Sequence, residues 1–522
     1  MARKRTSGPR QLTPAVLRIL ALNALLSGAV FAVSGAIALA LVPILVGAYG
    51  LYAFGLLMLA RSFLPTGALA ALDLGVSEVA TQTVARARVN GNWDEAAARL
   101  RIVLTIALGV ALLGGLGIFA LGTWVESWMD VRDEYEQSFI ALIQLTGGAL
   151  FLLFPALVAD GVLKGFEAYG PLRATELIGT LVYAVVALVA VHRGLAFDTV
   201  GQAFLGGILL RFAVQSALAV SLLRRHGAWR WQMTSGYWRT TIALCWLMMR
   251  GKLLGVMQTQ APQLLIGSMI GAAAVGVYDI IMRLPRFAKS VLGLLNALVL
   301  PLATRLDETD EVAGQRRLGS VGLLLVPAIA VPLLAVGVIF SEPLLRYWMG
   351  AEFASLWLWQ SVAFAIPVAS SIVGAGSVAL LAKHDAARRL LGYTALQVLA
   401  QYAVAFSLFA WLDERSFILG QALAAALLFA PQVALLSEVQ EIPRRYVARV
   451  WLFLATCAAA SVAGSISIAA VGVSGIAALV FAPVVWCGFA ALAWSMLFDG
   501  LQRARIAATV RDRALQWMRR AE

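Results

Sequence analysis

Apolar residues in this chain come in unbroken runs of about twenty or more, and no other feature narrows its possible folds so far. A helix of about 20 apolar residues matches the hydrocarbon thickness of a bilayer. In lipid every backbone N–H and C=O must be satisfied within the chain, so only helices and closed barrels span. Barrel strands alternate apolar and polar residues. These runs do not alternate, so the chain reads as an all-α polytopic membrane protein. Composition agrees: 61% of the 522 residues are hydrophobic and 13% are charged, where soluble domains have about 45–50% and about 25%. About fourteen transmembrane helices follow, near 19–45, 51–72, 101–124, 138–160, 174–192, 200–223, 241–268, 273–300, 318–341, 355–381, 389–411, 416–437, 448–471 and 474–498.

Basic residues set the orientation. With the N-terminus in the cytoplasm and loops assigned alternately, thirty Lys and Arg fall inside, against Arg132, Arg193, Arg346 and Arg415 outside. That asymmetry follows the positive-inside rule. It also checks the count, because one missed span would reverse every later loop. The chain is thus expected in a bacterial inner (cytoplasmic) membrane, multi-pass, with both termini cytoplasmic. The first apolar run is too long for a cleaved signal's core. No loop exceeds about 30 residues, which leaves no room for a soluble catalytic or nucleotide-binding domain. Two segments look interfacial. Residues 224–240 carry Trp229, Trp231, Tyr237 and Trp238 among basic residues, and the tail carries Ile506, Val510 and Trp517 among arginines. Both suit the cytoplasmic headgroup layer.

Cys245, Cys457 and Cys487 lie inside apolar runs, as small hydrophobes do. His192, His226 and His384 lie near helix ends without a ligand partner at suitable spacing. Neither a metal nor a cofactor is expected.

Seven basic residues remain inside spans: Arg61, Arg211, Arg250, Lys252, Arg283, Arg286 and Lys289. A charge at the bilayer centre costs about 2.5–3.5 kcal/mol on insertion scales. The acids at similar depth are Asp73, Glu78, Glu176 and Asp279, so the interior is net basic. Asp279 and Arg283 are four apart and share a helix face. Arg286 continues that face, with Lys289 and Ser290 a turn on. Such a stripe suits an anionic cargo. Diphosphate takes bidentate contacts from arginine, and an acidic sugar fits equally well. Bland readings stand beside this one. Arg250 and Lys252 could snorkel from a late-starting span, and Arg61 with Asp73 could be a structural pair. Gln258, Gln260 and Gln263, with Asn296, suit sugar hydroxyls or simply glue helices together. The residues expected to line a cavity are Arg61, Asp73, Arg211, Arg250, Lys252, Gln263, Asp279, Arg283, Arg286 and Lys289.

A short internal repeat joins Ala48-Tyr49-Gly50-Leu51-Tyr52 to Ala274-Val275-Gly276-Val277-Tyr278. Each opens an even-numbered span that carries an arginine further on, Arg61 or Arg286. Duplicated halves with the site at their junction are a common transporter plan. The expected architecture is two six-helix lobes around a central cavity plus two C-terminal helices. Its parts are a basic tail 1–18, an N-lobe 19–223, an interfacial linker 224–240, a C-lobe 241–437, two additional helices in 438–498, and a basic amphipathic tail 499–522.

The stretch Gln263–Gly271, then Val275-Gly276-Val277-Tyr278, ending at Pro301-Leu302-Ala303-Thr304-Arg305, resembles the polysaccharide-transport branch of the multidrug/oligosaccharidyl-lipid/polysaccharide exporter superfamily. Leu72-Asp73-Leu74-Gly75 and Tyr347-Trp348-Met349-Gly350 are similar to the same family. The resemblance implies a V-shaped pair of six-helix bundles working by alternating access. It implies undecaprenyl-diphosphate-linked oligosaccharide as cargo, as in O-antigen or exopolysaccharide flippases. In that reading Arg61, Arg211, Arg283 and Arg286 hold the anionic head, while Asp73 and Asp279 neutralise or gate them. Lipid II flippases are close relatives. Multidrug and toxin extrusion antiporters are more distant, and their acidic residue in the first span is missing here, where Asn23, Ser27 and Ser34 are the polar groups.

Three functions are compared. The first is a lipid-linked oligosaccharide flippase, with membrane lipids and a polysaccharide polymerase as candidate partners and no nucleic acid. The second is an ion-coupled small-molecule antiporter, or a lipid II flippase. The third, a membrane enzyme, is disfavoured because no loop offers paired carboxylates or a phosphate-cradling glycine loop.

Overall fold

The computed structural model describes residues 14–504 apart from 66, 125–128, 130, 230–234, 309–311, 381–383 and 501. The tail up to residue 13, Trp231 in the interfacial segment and the amphipathic tail from 505 lie outside the described residues. Among the described residues every element is a helix. Eleven are long and apolar enough to cross a membrane, and twelve if the bent pair Leu323–Ile339 and Ser341–Met349 forms one span. Two differences from the expected fourteen have plain causes. The first expected span and residues 51–62 of the second lie on one helical run, Pro14–Ser62, interrupted at Gly50 by a backbone (φ 79°, ψ 166°) that only glycine adopts readily. The eighth is the helix Ala272–Glu308, whose Asp279, Arg283, Arg286 and Lys289 interrupt its apolar character.

Apolar side chains face outward as well as inward. Leu113 is 75% exposed and Val471 77%, which in water would mark aggregation and in lipid is the ordinary state of a span. Small residues then let backbones meet. A Cβ built at Gly179 would lie 2.7 Å from the Gly207 carbonyl oxygen, and one at Gly207 would lie 2.5 Å from that of Gly179. Helices Tyr169–His192 and Phe197–Arg225 therefore cross in direct backbone contact.

The chain divides into two compact units. The first comprises residues 1–49 and 59–256. Its core gathers Val76, Val79, Val84, Val103 and Leu163, from helices Val76–Asn90, Trp93–Gly122 and Asp133–Gly165. The second comprises residues 50–58 and 257–522, with Leu334, Phe340, Val433 and Phe453 at its core. Its boundary at Val256 lies within the helix Trp238–Thr259, where the sequence reading starts the second lobe at 241. The residues before Val256 join the first unit: Cys245, Leu244 and Met248 pack in its core, and Lys252 pairs with Asp73 and Glu78.

The repeat acquires a structural meaning inside the second unit. A Cβ at Gly55 would lie 1.8 Å from the carbonyl oxygen of Ala272, and one at Gly276 would lie 2.8 Å from Leu51. The helices that carry the two repeat segments thus pack closely, with Gly276 of one segment against Leu51 of the other.

Candidate functional site

In the second unit the expected stripe converges on one carboxylate. Asp279 is 4% exposed. Its Oδ2 accepts from Arg283 Nε at 2.9 Å and from Arg283 Nη2. Its Oδ1 accepts from Arg286 Nη1 at 3.2 Å and from Gln263 Nε2 at 3.3 Å. One acid therefore organises two guanidinium groups and an amide. The helical repeat explains the arrangement: residues at i, i+4 and i+7 share a face. Pro285 sits between the two arginines and leaves the Ile281 carbonyl without its helical donor. Each arginine is also supported from the side. Arg283 Nη2 lies 3.2 Å from Met58 Sδ, and its guanidinium carbon 5.8 Å from the Phe54 ring. Arg286 lies 5.4 Å over Tyr278, which is fully buried, an approach within cation–π range. One turn on, Lys289 has no acidic partner among the described residues. The face carries three positive charges and one negative.

In the first unit Lys252 lies between two acids. Its Nζ bonds Asp73 Oδ2 and stands 2.7 Å from Glu78 Oε2. The local fold makes this possible. Asp73 ends a 3-10 turn, Ala68–Asp73, and the next two residues, Leu74 (φ 48°) and Gly75 (φ 71°), are left-handed before the helix Val76–Asn90 begins. That reversal aims Asp73 and Glu78 at the same lysine. Arg250, two residues earlier, is exposed and lies 5.7 Å from the Trp246 ring.

Arg61 and Arg211 stand apart from that triad. Arg61 packs 4.0 Å over the Phe204 ring. Arg211 Nη2 donates to Glu176 Oε1 at 2.8 Å, while Arg173 Nη1 holds Glu176 Oε2 at 2.6 Å. Gln215 Nε2 donates to Thr175 Oγ1 at 2.9 Å beside it. Glu176 therefore bridges two arginines within the helix pair that the Gly179–Gly207 crossing brings together.

Of the ten expected residues, Arg61, Asp73, Arg211, Arg250 and Lys252 belong to the first unit. Gln263, Asp279, Arg283, Arg286 and Lys289 belong to the second. Within the first unit Asp73 meets Lys252, and the three arginines have other neighbours. Within the second unit Asp279 gathers Gln263, Arg283 and Arg286. Sequence reasoning missed Asp160. It is 6% exposed, accepts from Ser77 Oγ at 3.1 Å and pairs with Lys164 at 2.6 Å. A carboxylate at the end of an apolar run, four residues before a lysine, was the available signal. Also unforeseen is the role of Gln258. Its main-chain carbonyl, beside the break between helices Trp238–Thr259 and Ala261–Met269, accepts from Gln401 Nε2 at 3.2 Å and Gln421 Nε2 at 3.3 Å.

Among known proteins, several solved structures share this fold. The inward-closed lipid II flippase MurJ aligns over 91% of this chain and 100% of its own, with TM-score 0.63 and 12% identity. An inward-facing multidrug resistance MATE family transporter of the MOP superfamily aligns over 78% and 96%, with TM-score 0.57 and 15% identity. The Vibrio cholerae MATE transporter VcmN in its bent form aligns over 81% and 98%, with TM-score 0.52 and 13% identity. These fold neighbours are a flippase and transporters rather than enzymes. No curated protein matches the sequence. The family described as "Polysaccharide biosynthesis protein" matches residues 49–357, more than half of the chain and the stretch that holds all ten expected residues. The superfamily resemblance carried by the short motifs is borne out, and the chain belongs to this polysaccharide biosynthesis protein family of membrane proteins.

Proposed function

We propose that this protein is a flippase for undecaprenyl-diphosphate-linked oligosaccharide. It moves an O-antigen or exopolysaccharide repeat unit from the cytoplasmic to the outer leaflet of a bacterial inner membrane by alternating access. The observation that carries the reading is the Asp279 face, where one buried carboxylate holds Arg283 and Arg286 with Lys289 a turn beyond. A carboxylate shared by two arginines keeps both oriented when no cargo is present. A diphosphate offers more charge and more oxygens than Asp279, so it competes for the same donors. The second role of Asp279 is then to recover the arginines when the cargo leaves.

The ten residues expected from the sequence form the proposed cargo-binding set, with the Asp279 face as its anionic-head site. The proposed functional parts are residues 19–223 and 241–437 as two lobes, 224–240 as an interfacial linker, 438–498 as two accessory helices, and basic tails on the cytoplasmic side. A polysaccharide polymerase, which would consume the translocated repeat unit, is the proposed protein partner.

The lipid II reading shares the fold, but the matched family is one of polysaccharide biosynthesis, which favours an oligosaccharide cargo. A second reading, an ion-coupled small-molecule antiporter, draws on the Asp73–Glu78–Lys252 triad, where two acids and one base could exchange a proton or cation. The two readings separate in cells. The double variant Arg283→Ala, Arg286→Ala, expressed at the normal level, should lose polymer export and accumulate lipid-linked oligosaccharide. Normal export from that variant would reject the flippase reading. A changed drug-susceptibility profile, with proton or sodium flux in proteoliposomes, would support the antiporter.

A further inference from the structure

In the first unit, helix Trp93–Gly122 begins where helices Asp133–Gly165 and Phe197–Arg225 end, and a cavity of about 330 Å³ lies among those three ends. Its wall is apolar: Leu100, Leu104, Val158, Val162 and Leu223, with Trp229 at one side. Arg101 is the exception. Its Nε and Nη1 are buried and make no hydrogen bond among the described residues. The guanidinium is only partly covered, and no carboxylate among the described residues answers it, so its charge is open to an anion that enters the cavity. The cavity is thus complete in apolar wall and incomplete in anion.

The surroundings share that sign. Arg224 and Arg225 end the third helix and are exposed, and Arg224 stands 6.0 Å over the Trp229 ring, itself 44% exposed. An aromatic ring beside cations is the composition of a headgroup layer. These helix ends are also the ones that the distribution of basic residues assigns to the cytoplasmic side, where anionic lipids give the surface its negative potential. One guanidinium without an acid matches the single charge of a phosphodiester. A diphosphate would need a second basic side chain on the wall, and among the described lining residues Arg101 is the one there.

We propose that the cavity bounded by Arg101, Leu104, Val158 and Trp229 binds one anionic glycerophospholipid of the cytoplasmic leaflet, with its phosphodiester on the Arg101 guanidinium and part of one acyl chain against the apolar wall. This site is separate from the Asp279 face and does not depend on which cargo the protein carries.

The test uses the full chain in phosphatidylcholine nanodiscs that contain either phosphatidylglycerol or phosphatidylcholine brominated on the acyl chain. The Trp229 signal is the difference in quenching between the native protein and Trp229→Phe. Brominated phosphatidylglycerol should quench Trp229 at about fivefold lower mole fraction than brominated phosphatidylcholine, as expected for one basic side chain at an anionic surface. Arg101→Gln should abolish that preference. Leu104→Phe, which keeps Arg101 and fills the cavity, should reduce quenching by both lipids, and it carries the test if Arg101→Gln does not fold. Equal quenching by the two lipids in the native protein would overturn the proposal. So would an intact preference in Arg101→Gln, or undiminished quenching in Leu104→Phe. Displacement of phosphatidylglycerol by an equimolar polyprenyl diphosphate would reassign the cavity to a cargo lipid and likewise overturn it.

Discussion

A charged side chain within an apolar span is costly unless it meets a partner or water, and the side chains at Asp73 show one way a partner is supplied. Lys252 answers two carboxylates, so removing it leaves both acids facing each other without a cation. Asp73 is buried while Lys252 and Glu78 are partly exposed, so the cost is that of one buried group left unpaired, about 1–3 kcal/mol. Lys252→Met should therefore lower the melting temperature of the purified protein markedly. The double variant Lys252→Met, Asp73→Asn should recover much of the loss, because it removes one of the two stranded charges. If the single variant melts with the native protein, the triad contributes nothing to stability. Which acid meets which base was only partly legible in the sequence. Asp279 and Arg283 declare their pairing by a spacing of four. Lys252 and Asp73 stand 179 positions apart, and nothing local announces that. Asp160 was hidden for the same reason, since its bond to Ser77 spans 83 positions.

At the scale of helices, glycine decides where main chains meet. Gly55 touches the Ala272 carbonyl so closely that a single methyl group would sit 1.8 Å from that oxygen. Gly55→Ala must then push apart the two helices that carry the repeat, at a cost of about 1–3 kcal/mol typical of overpacking. Gly47, eight residues earlier, has nothing within 4 Å of an added Cβ, and Gly47→Ala should melt no lower than the native protein. Equal melting temperatures for the two variants would disprove the contact. The repeat itself was legible as two similar pentapeptides, but the packing of their helices was not, because sequence similarity carries no information about mutual contact. The break after Ser62 was also illegible. Residues 51–72 read as one apolar span. The structure ends that helix at Ser62, turns through the left-handed Leu74 and Gly75, and starts a new helix, Val76–Asn90. Hydropathy is blind to such a break because the turn residues are as apolar as the helix they interrupt. The Leu72–Gly75 motif was the available sign.

For the molecule as a whole, the distribution of charge is the property most legible from sequence, since it follows from insertion rather than from packing. With the N-terminus placed in the cytoplasm, thirty basic residues fall on one side against four on the other, and that count is the ground for proposing which helix ends share the cytoplasmic face. Both the flippase reading and the lipid site take their sidedness from that face. The proposed sidedness groups particular helix ends. The ends that carry Arg88, Lys164, Arg173 and Arg224 belong to four helices of one unit, and alternation along the chain would place all four on one side. The consequence can be measured with single cysteines. Cys245 and Cys457 are buried and Cys487 is exposed, so a Cys487→Ser background leaves few competing thiols. In intact cells stripped of their outer membrane, a membrane-impermeant maleimide should label Arg132→Cys and Arg415→Cys. It should label Arg88→Cys and Arg224→Cys only after the inner membrane is opened. Labelling of Arg88→Cys from outside would invert the protein. The Arg101 cavity would then open to the outer leaflet, and the proposed direction of cargo movement would fail together with the positive-inside assignment.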